Sequence, residues 1–247
     1  MFNIARNELH RLFLSPLAWV ILALSQLLLA YLFLTHIDYF SSIQARISAI
    51  PGAPGVTEMI AMPLLSNAAI IILLISPLLT MRSIAEERRN ETLPLLGSAP
   101  LSSTQIVLGK YLGTLGFFTL LALLTLLMPL SLVVGSTLDF YQIGAGMLGL
   151  MLLIASFTAI GLYMSSLTRQ PVIAAVATFA TLFLLWIIDW AGDSATDFSV
   201  LSWLSLLNHF QPMTQGQINT EDLGFYLIVI ATFILLTIRR LDRERLD

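Results

Sequence analysis

The chain alternates between long stretches without a charged side chain and short stretches where charges crowd together. Charge-free runs occupy residues 12–37, 59–81, 111–138, 140–168 and 170–188, and a shorter one lies at 223–238. A helix that crosses a bilayer needs about 20 predominantly apolar residues, with a range of about 17–25. The first five runs meet that need. The sixth is short, but Asp222 and Arg239 can bracket it at the two interfaces by snorkelling or local thinning. The pattern predicts an all-α integral membrane fold, one transmembrane domain over 1–247. Its spans fall at 15–37, 60–81, 111–134, 142–165, 171–189 and 223–238.

A seventh run, 198–220, is also charge-free, yet it carries Asn208, His209, Gln211, Pro212, Gln215, Gly216, Gln217 and Asn219. Those polar and helix-breaking residues would be costly against lipid. The segment 198–212 is expected as a short interfacial or re-entrant helix, with Trp203 at a depth that suits tryptophan. Orientation agrees with six crossings. With both ends on the cytoplasmic side, eleven of the twelve Lys and Arg residues fall inside and only Arg46 outside. Counting 198–212 as a span would move the last four arginines to the other face. The first run is too long for a secretory signal and lacks an Ala-x-Ala site, so an uncleaved first span is expected.

Composition agrees. The chain is 57% hydrophobic and 11% charged, with a mean hydropathy of +0.87, against about 45–50% and 25% in soluble domains. There is no cysteine, so disulfides, thiolate ligands and a cysteine nucleophile are excluded. His10, His36 and His209 are scattered without metal-binding spacing, and Lys110 after Gly109 lacks the upstream glycine of a P-loop. No metal, no bound cofactor, no catalytic residue and no nucleic-acid partner are expected. Polar residues inside the spans are few. Asn67, Ser66 and Gln26 are the candidates for a pathway or an interface, with an interhelical hydrogen bond the favoured role for Asn67. Gly109-x-x-x-Gly113 and GAGMLG at 144–149 permit close helix approach, within one subunit or between two.

One stretch stands apart. Between Arg82 and Glu91 six of ten residues are charged, and an apolar knuckle, TLPLLGSAPL, follows at 92–101. Continuing the second span as a helix would pair Arg82 with Glu86, Glu86 with Arg89 and Arg88 with Glu91, making a solvated stalk. Pro94, Gly97 and Pro100 keep the knuckle short, while Ser102-x-x-Gln105 resembles a capping box that restarts a helix. Leu93, Leu95, Leu96 and Leu101 on such a stalk suit a groove on a partner protein, though interfacial lipid could bury them too.

The segment EERRNETLPLLGSAPLSSTQIVLGK resembles the cytoplasmic loop of ABC-2-type transporter permeases. The matching residues are Glu86, Glu87, Arg88, Thr92, Leu93, Leu95, Leu96, Ser98, Pro100, Ile106, Val107, Gly109 and Lys110. Glu91 stands where that family usually has glycine, and Pro94 where an acidic residue is common. Residues 7–20, with Phe13, Ser15, Pro16 and Ala18, are similar to the gliding-motility-associated branch, as are 165–175 and 207–227.

The resemblance implies a bacterial inner-membrane permease with an amphipathic interfacial helix at 1–14 and a coupling helix within the loop 82–110. Its ATPase-coupling residues would be Glu86, Glu87, Arg88, Arg89, Thr92, Leu93, Leu95, Leu96, Pro100 and Leu101. Its partners would be two copies of a cytoplasmic ABC ATPase, which bind the ATP and Mg, and a second permease subunit, alike or different. An accessory protein would meet the outer segments. Two rival classes are a scaffold that recruits proteins through the same loop and an ion-coupled transporter. The latter is disfavoured because no charge lies inside a span.

Overall fold

The computed structural model describes residues 1–47, 54–91, 102–192 and 203–246, which are helical and contain no strand. Helix α1 spans Phe2–Leu14 and α2 Pro16–Ile47. A π turn, Thr57–Ala61, leads into α3, Met62–Thr80, and a five-residue α4, Ala85–Arg89, follows. Then come α5, Ser103–Leu130, extended by a 3-10 turn over Ser131–Val134, and α6, Phe140–Leu167. Helix α7 is Pro171–Gly192, α8 Leu206–Thr214 and α9 Thr220–Leu246. Six of these, α2, α3 with its π turn, α5, α6, α7 and α9, are long and apolar enough to cross a membrane. Each of the six overlaps one of the predicted spans.

Several boundaries differ from the hydropathy pattern for local reasons. Helix α5 starts eight residues before the apolar run because the capping box forms. Ser102 Oγ accepts from Gln105 N at 3.2 Å, and Gln105 Oε1 accepts from Ser102 N at 3.4 Å. Asp139 caps α6 by accepting from the backbone N–H groups of Tyr141 and Gln142. With 32 residues, α2 would be about 48 Å long, well beyond a hydrocarbon core of about 30 Å.

Helix α6 is the centre of the bundle, with 72% of its apolar window buried against 17% for α7 and 22% for both α2 and α9. Helices α3, α5, α7, α8 and α9 all pack on it. Apolar lipid supplies no hydrophobic drive for helices to associate, so close van der Waals fit between small residues has to serve. At Gly149 an added Cβ would lie 2.9 Å from Met213 Cβ, and at Gly161 it would lie 2.7 Å from Thr80 Cβ. Helix α8 thus seats Phe210 and Met213 directly on α6. Several polar residues of 203–222 are satisfied within the fold. His209 lies 2.7 Å from Asp222 Oδ1 and 2.9 Å from the Trp203 carbonyl, and Gln142 Nε2 donates to Thr214 O at 3.0 Å.

Gly161→Ala is expected to lower the melting temperature of the detergent-solubilised protein, by overpacking worth about 1–3 kcal/mol. Gly144→Ala on the same helix, where no atom lies within 4 Å of the new Cβ, should be neutral or stabilising by up to about 1 kcal/mol. Equal effects at the two sites would contradict the packing described.

Candidate functional site

The site forms where α3 ends. Pro77 sits inside the last turn of α3, and the helix stops at Thr80, followed by turns over 81–84. The broken backbone is repaired from another helix. Ser165 Oγ of α6 accepts from Ile84 N at 3.1 Å and Ala85 N at 3.0 Å, and donates to Met81 O at 3.0 Å. A single hydroxyl satisfies two orphan donors and one acceptor that would otherwise be buried unpaired. The second span therefore does not run on as a solvated helical stalk. The change of direction takes Arg82 off the helical register, and none of the three expected pairs along the stalk forms an ion pair.

Helix α4 turns its charges into the fold instead. Lys110, only 2% exposed, places Nζ 2.5 Å from Glu87 Oε1 and 3.4 Å from Glu8 Oε2. Arg11 Nη1 adds a contact to Glu87 Oε1 at 3.6 Å. One ammonium thus joins carboxylates from α1 and α4 to α5. The next residue along α4 points elsewhere. Arg88 Nη2 holds both carboxylate oxygens of Glu244 in α9, at 2.6 and 2.7 Å, while Arg240 lies 3.4 Å from the same group. Successive residues of a five-residue helix are therefore tied to α1 and α5 on one side and to α9 on the other.

The Gly109-x-x-x-Gly113 spacing explains how α1 reaches this cluster. A Cβ on Gly109 would lie 2.7 Å from Ile4 Cβ, and one on Gly113 would lie 2.7 Å from Glu8 Cβ. These glycines pack α1 onto α5 inside this chain, which decides between the two uses open to the spacing. Glu8 follows Ile4 by one helical turn, so it lies on the face that packs against α5.

Of the coupling residues expected from the sequence, Glu87 and Arg88 belong to this site, while Glu86 is half-buried and Arg89 exposed. Thr92, Leu93, Leu95, Leu96, Pro100 and Leu101 lie outside the described residues. The structure does not bring Asn67, Ser66 and Gln26 to the site. Asn67 Nδ2 lies 3.1 Å from His36 Nε2, Ser66 Oγ donates to Met62 O at 3.1 Å, and Gln26 Nε2 donates to Leu121 O at 3.1 Å and Thr125 Oγ1 at 3.2 Å. Sequence reasoning missed Glu8, Arg11 and Glu244, and placed Lys110 only as a motif residue. One signal was available, an acidic residue one helical turn after Ile4 on an amphipathic helix. Among the described residues, no three His, Asp or Glu side chains gather as a metal site would require.

A backbone signature follows α4. Glu91 has φ +54°, in the left-handed region that glycine enters freely and other residues enter at a cost of roughly 1–2 kcal/mol. This is the position where permeases that the loop resembles usually carry glycine. Glu91→Gly is expected to stabilise the protein by about 1 kcal/mol or less, because the glycine also loosens the unfolded chain. Thermal unfolding in detergent reads the difference, and a lowered midpoint would contradict the strain.

Lys110→Met should be severe, because it leaves Glu8 and Glu87 buried without their ammonium, at about 3–5 kcal/mol. The triple variant Glu8→Gln, Glu87→Gln, Lys110→Met should recover most of that loss. If the single and triple variants melt alike, charge compensation is not what holds this end together.

A family model described as ABC-2 family transporter protein matches residues 35–238, well over half of the chain. No curated protein matches it. The match covers everything from the end of the first span through the last, and with six helices able to cross a bilayer it establishes that this multi-pass membrane protein belongs to the ABC-2 transporter family.

Proposed function

We propose that the chain is the permease subunit of an ATP-driven exporter, and that movement imposed on residues 92–101 by a separate cytoplasmic ABC ATPase is passed into the spans through α4. The observation that carries this reading is the opposed anchoring of α4. Glu87 engages Lys110 and Arg11 on one side, and Arg88 engages Glu244 on the other. A short helix held in this way cannot shift without moving α1, α5 and α9 with it. Segment 92–101 begins within three residues of α4 and ends one residue before the cap of α5, so a force on it reaches both.

In this reading the end of the bundle that carries α1, α4 and the C-terminal turns of α9 faces the cytoplasm. Both termini lie there, as the distribution of Lys and Arg favours. Helix α1 lies along the inner interface and α8 near the outer one. Two permease subunits, alike or different, meet two ATPase subunits that supply the nucleotide and Mg chemistry, and an accessory protein meets the outer segments. The resemblance of residues 7–20, 165–175 and 207–227 to the gliding-motility-associated branch supports the reading of a permease of that kind in a bacterial inner membrane, where the same coupling would move cargo or transmit mechanical work.

The test is co-purification from the native membrane in mild detergent, with the associated subunits identified and ATP hydrolysis assayed. A stoichiometric ATPase is expected, and Leu95→Asp combined with Leu96→Asp should leave the chain inserted but abolish ATPase binding or its stimulation. An ATPase that binds and is stimulated normally by the double variant would refute the coupling role of 92–101. Absence of any ATPase after cross-linking would refute the transporter reading itself and favour a scaffold.

A further inference from the structure

A cavity of about 170 Å³ opens beside the ion cluster, between the C-terminal half of α1, the start of α2 and the end of α3. A single water needs roughly 10–15 Å³ on the same measure, so the space is large enough for a molecular group. Part of its lining is apolar, contributed by Leu12, Leu17, Leu78 and Leu79. The rest is polar, with Arg82 and Glu86 of opposite charge, and with Ser15 and Ser83. Glu8 and Arg11 also reach this space, but their charges are already met by Lys110 and Glu87.

That accounting leaves one cation and one anion. Among the described residues, Arg82 and Glu86 form no ion pair, with each other or with any other group. Pairing between them is what a continuous helix would have given, and the break at Thr80 prevents it. Neither the Ser15 nor the Ser83 hydroxyl has a hydrogen-bond partner among the described residues. A guanidinium with two hydroxyls suits a phosphate, since Arg binds phosphate oxygens in a fork. A carboxylate without a cation suits an ammonium that still carries N–H donors. The leucines of the lining suit the upper part of acyl chains.

We propose that this cavity is the seat of a zwitterionic aminophospholipid, with its phosphate on Arg82, Ser15 and Ser83 and its primary ammonium on Glu86. An anionic glycerol headgroup would leave Glu86 unpaired and repelled. A choline headgroup offers no N–H to the carboxylate. The preference is therefore for the ethanolamine type over both. The inference requires only that the spans lie in a bilayer, and it stands whether or not an ATPase couples to residues 92–101.

The test is native mass spectrometry of the full-length chain, delipidated in mild detergent and titrated separately with phosphatidylethanolamine, phosphatidylcholine and phosphatidylglycerol. One retained phosphatidylethanolamine per chain is expected, with the other two weaker. Arg82→Gln and Glu86→Gln should each weaken retention on the order of tenfold, the worth of about one charge-assisted hydrogen bond. Arg239→Gln, at the same end, exposed and outside the cavity lining, should leave it unchanged. Equal retention of all three lipids, or retention insensitive to Arg82→Gln and Glu86→Gln, would overturn the proposal. A soluble glycerophosphoethanolamine arm identifies the source, and binding of that compound as tightly as the lipid would overturn a membrane occupant.

Discussion

A lysine ammonium buried two turns into an apolar helix is the constraint on which one end of this molecule depends. Lys110 cannot reach water from its position on α5, and an isolated buried ion costs several kcal/mol even after relaxation. Its two carboxylates come from different elements, Glu8 on α1 and Glu87 on α4. Glu8 arrives only because Gly109 and Gly113 let α1 lie against α5 without side chains between them. Glu87 arrives only because α3 breaks and the chain turns inward. The glycine stripe, the helix break and the charge cluster are thus one arrangement, and losing any part leaves a charge uncompensated. Buried ion pairs add little net stability compared with well-packed apolar residues of the same size. What this one supplies is register, fixing which face of α1 and which residue of α4 meet α5.

Helix α4 illustrates how far local structure depends on such outside support. Five residues are too few for a helix to persist by itself, because nucleation consumes most of what the first turn gains. Its entry is held by the hydroxyl of Ser165, one face by Lys110 and the other by Glu244. All of its order is borrowed from α5, α6 and α9. An element of this kind takes its position from its neighbours and, conversely, shares any displacement with them. The left-handed backbone at Glu91 follows the C-cap of α4 directly, immediately before residues 92–101.

The fold was legible in the sequence wherever one physical rule acted alone. Spans follow from the length of charge-free runs, and the start of α5 follows from Ser102 and Gln105. The special backbone at position 91 was visible in the departure from glycine. The site was legible only in part, since the charge density of 82–91 located it but misread it. Spacing along an assumed straight helix predicts surface pairs, whereas the pairs that form reach from residue 87 to 8 and 110, and from 88 to 244. No local pattern announces a partner so distant in the chain. The break that makes those pairs reachable needs Ser165 from another helix, and Pro77 by itself marked no such turn. Glu8 was the one recoverable clue, being an acidic residue on the face of α1 that otherwise presents Ile4.

The placement of polar groups also decides how energy can enter such a bundle. Along the middle of the spans, the amide of Gln26 and the hydroxyls of Ser66, Thr125 and Thr158 are engaged by neighbouring backbone or side-chain groups, and Asn67 meets His36. Among the described residues most ionisable Asp, Glu, Lys and Arg side chains lie toward helix ends and connections, Lys110 being set two turns into α5 with its carboxylate partners already in place. Coupling to an ion gradient ordinarily requires such a charge inside the membrane, able to gain and lose its counter-ion. Under the proposed reading, in which an ATPase acts on residues 92–101, rearrangement of these spans is driven from an end. The acidic end offers the His209–Asp222 contact, which joins α8 to α9 alone. Among the described residues, the basic end joins α1, α5, α6 and α9 through α4, so a displacement there would reach most of the bundle at once.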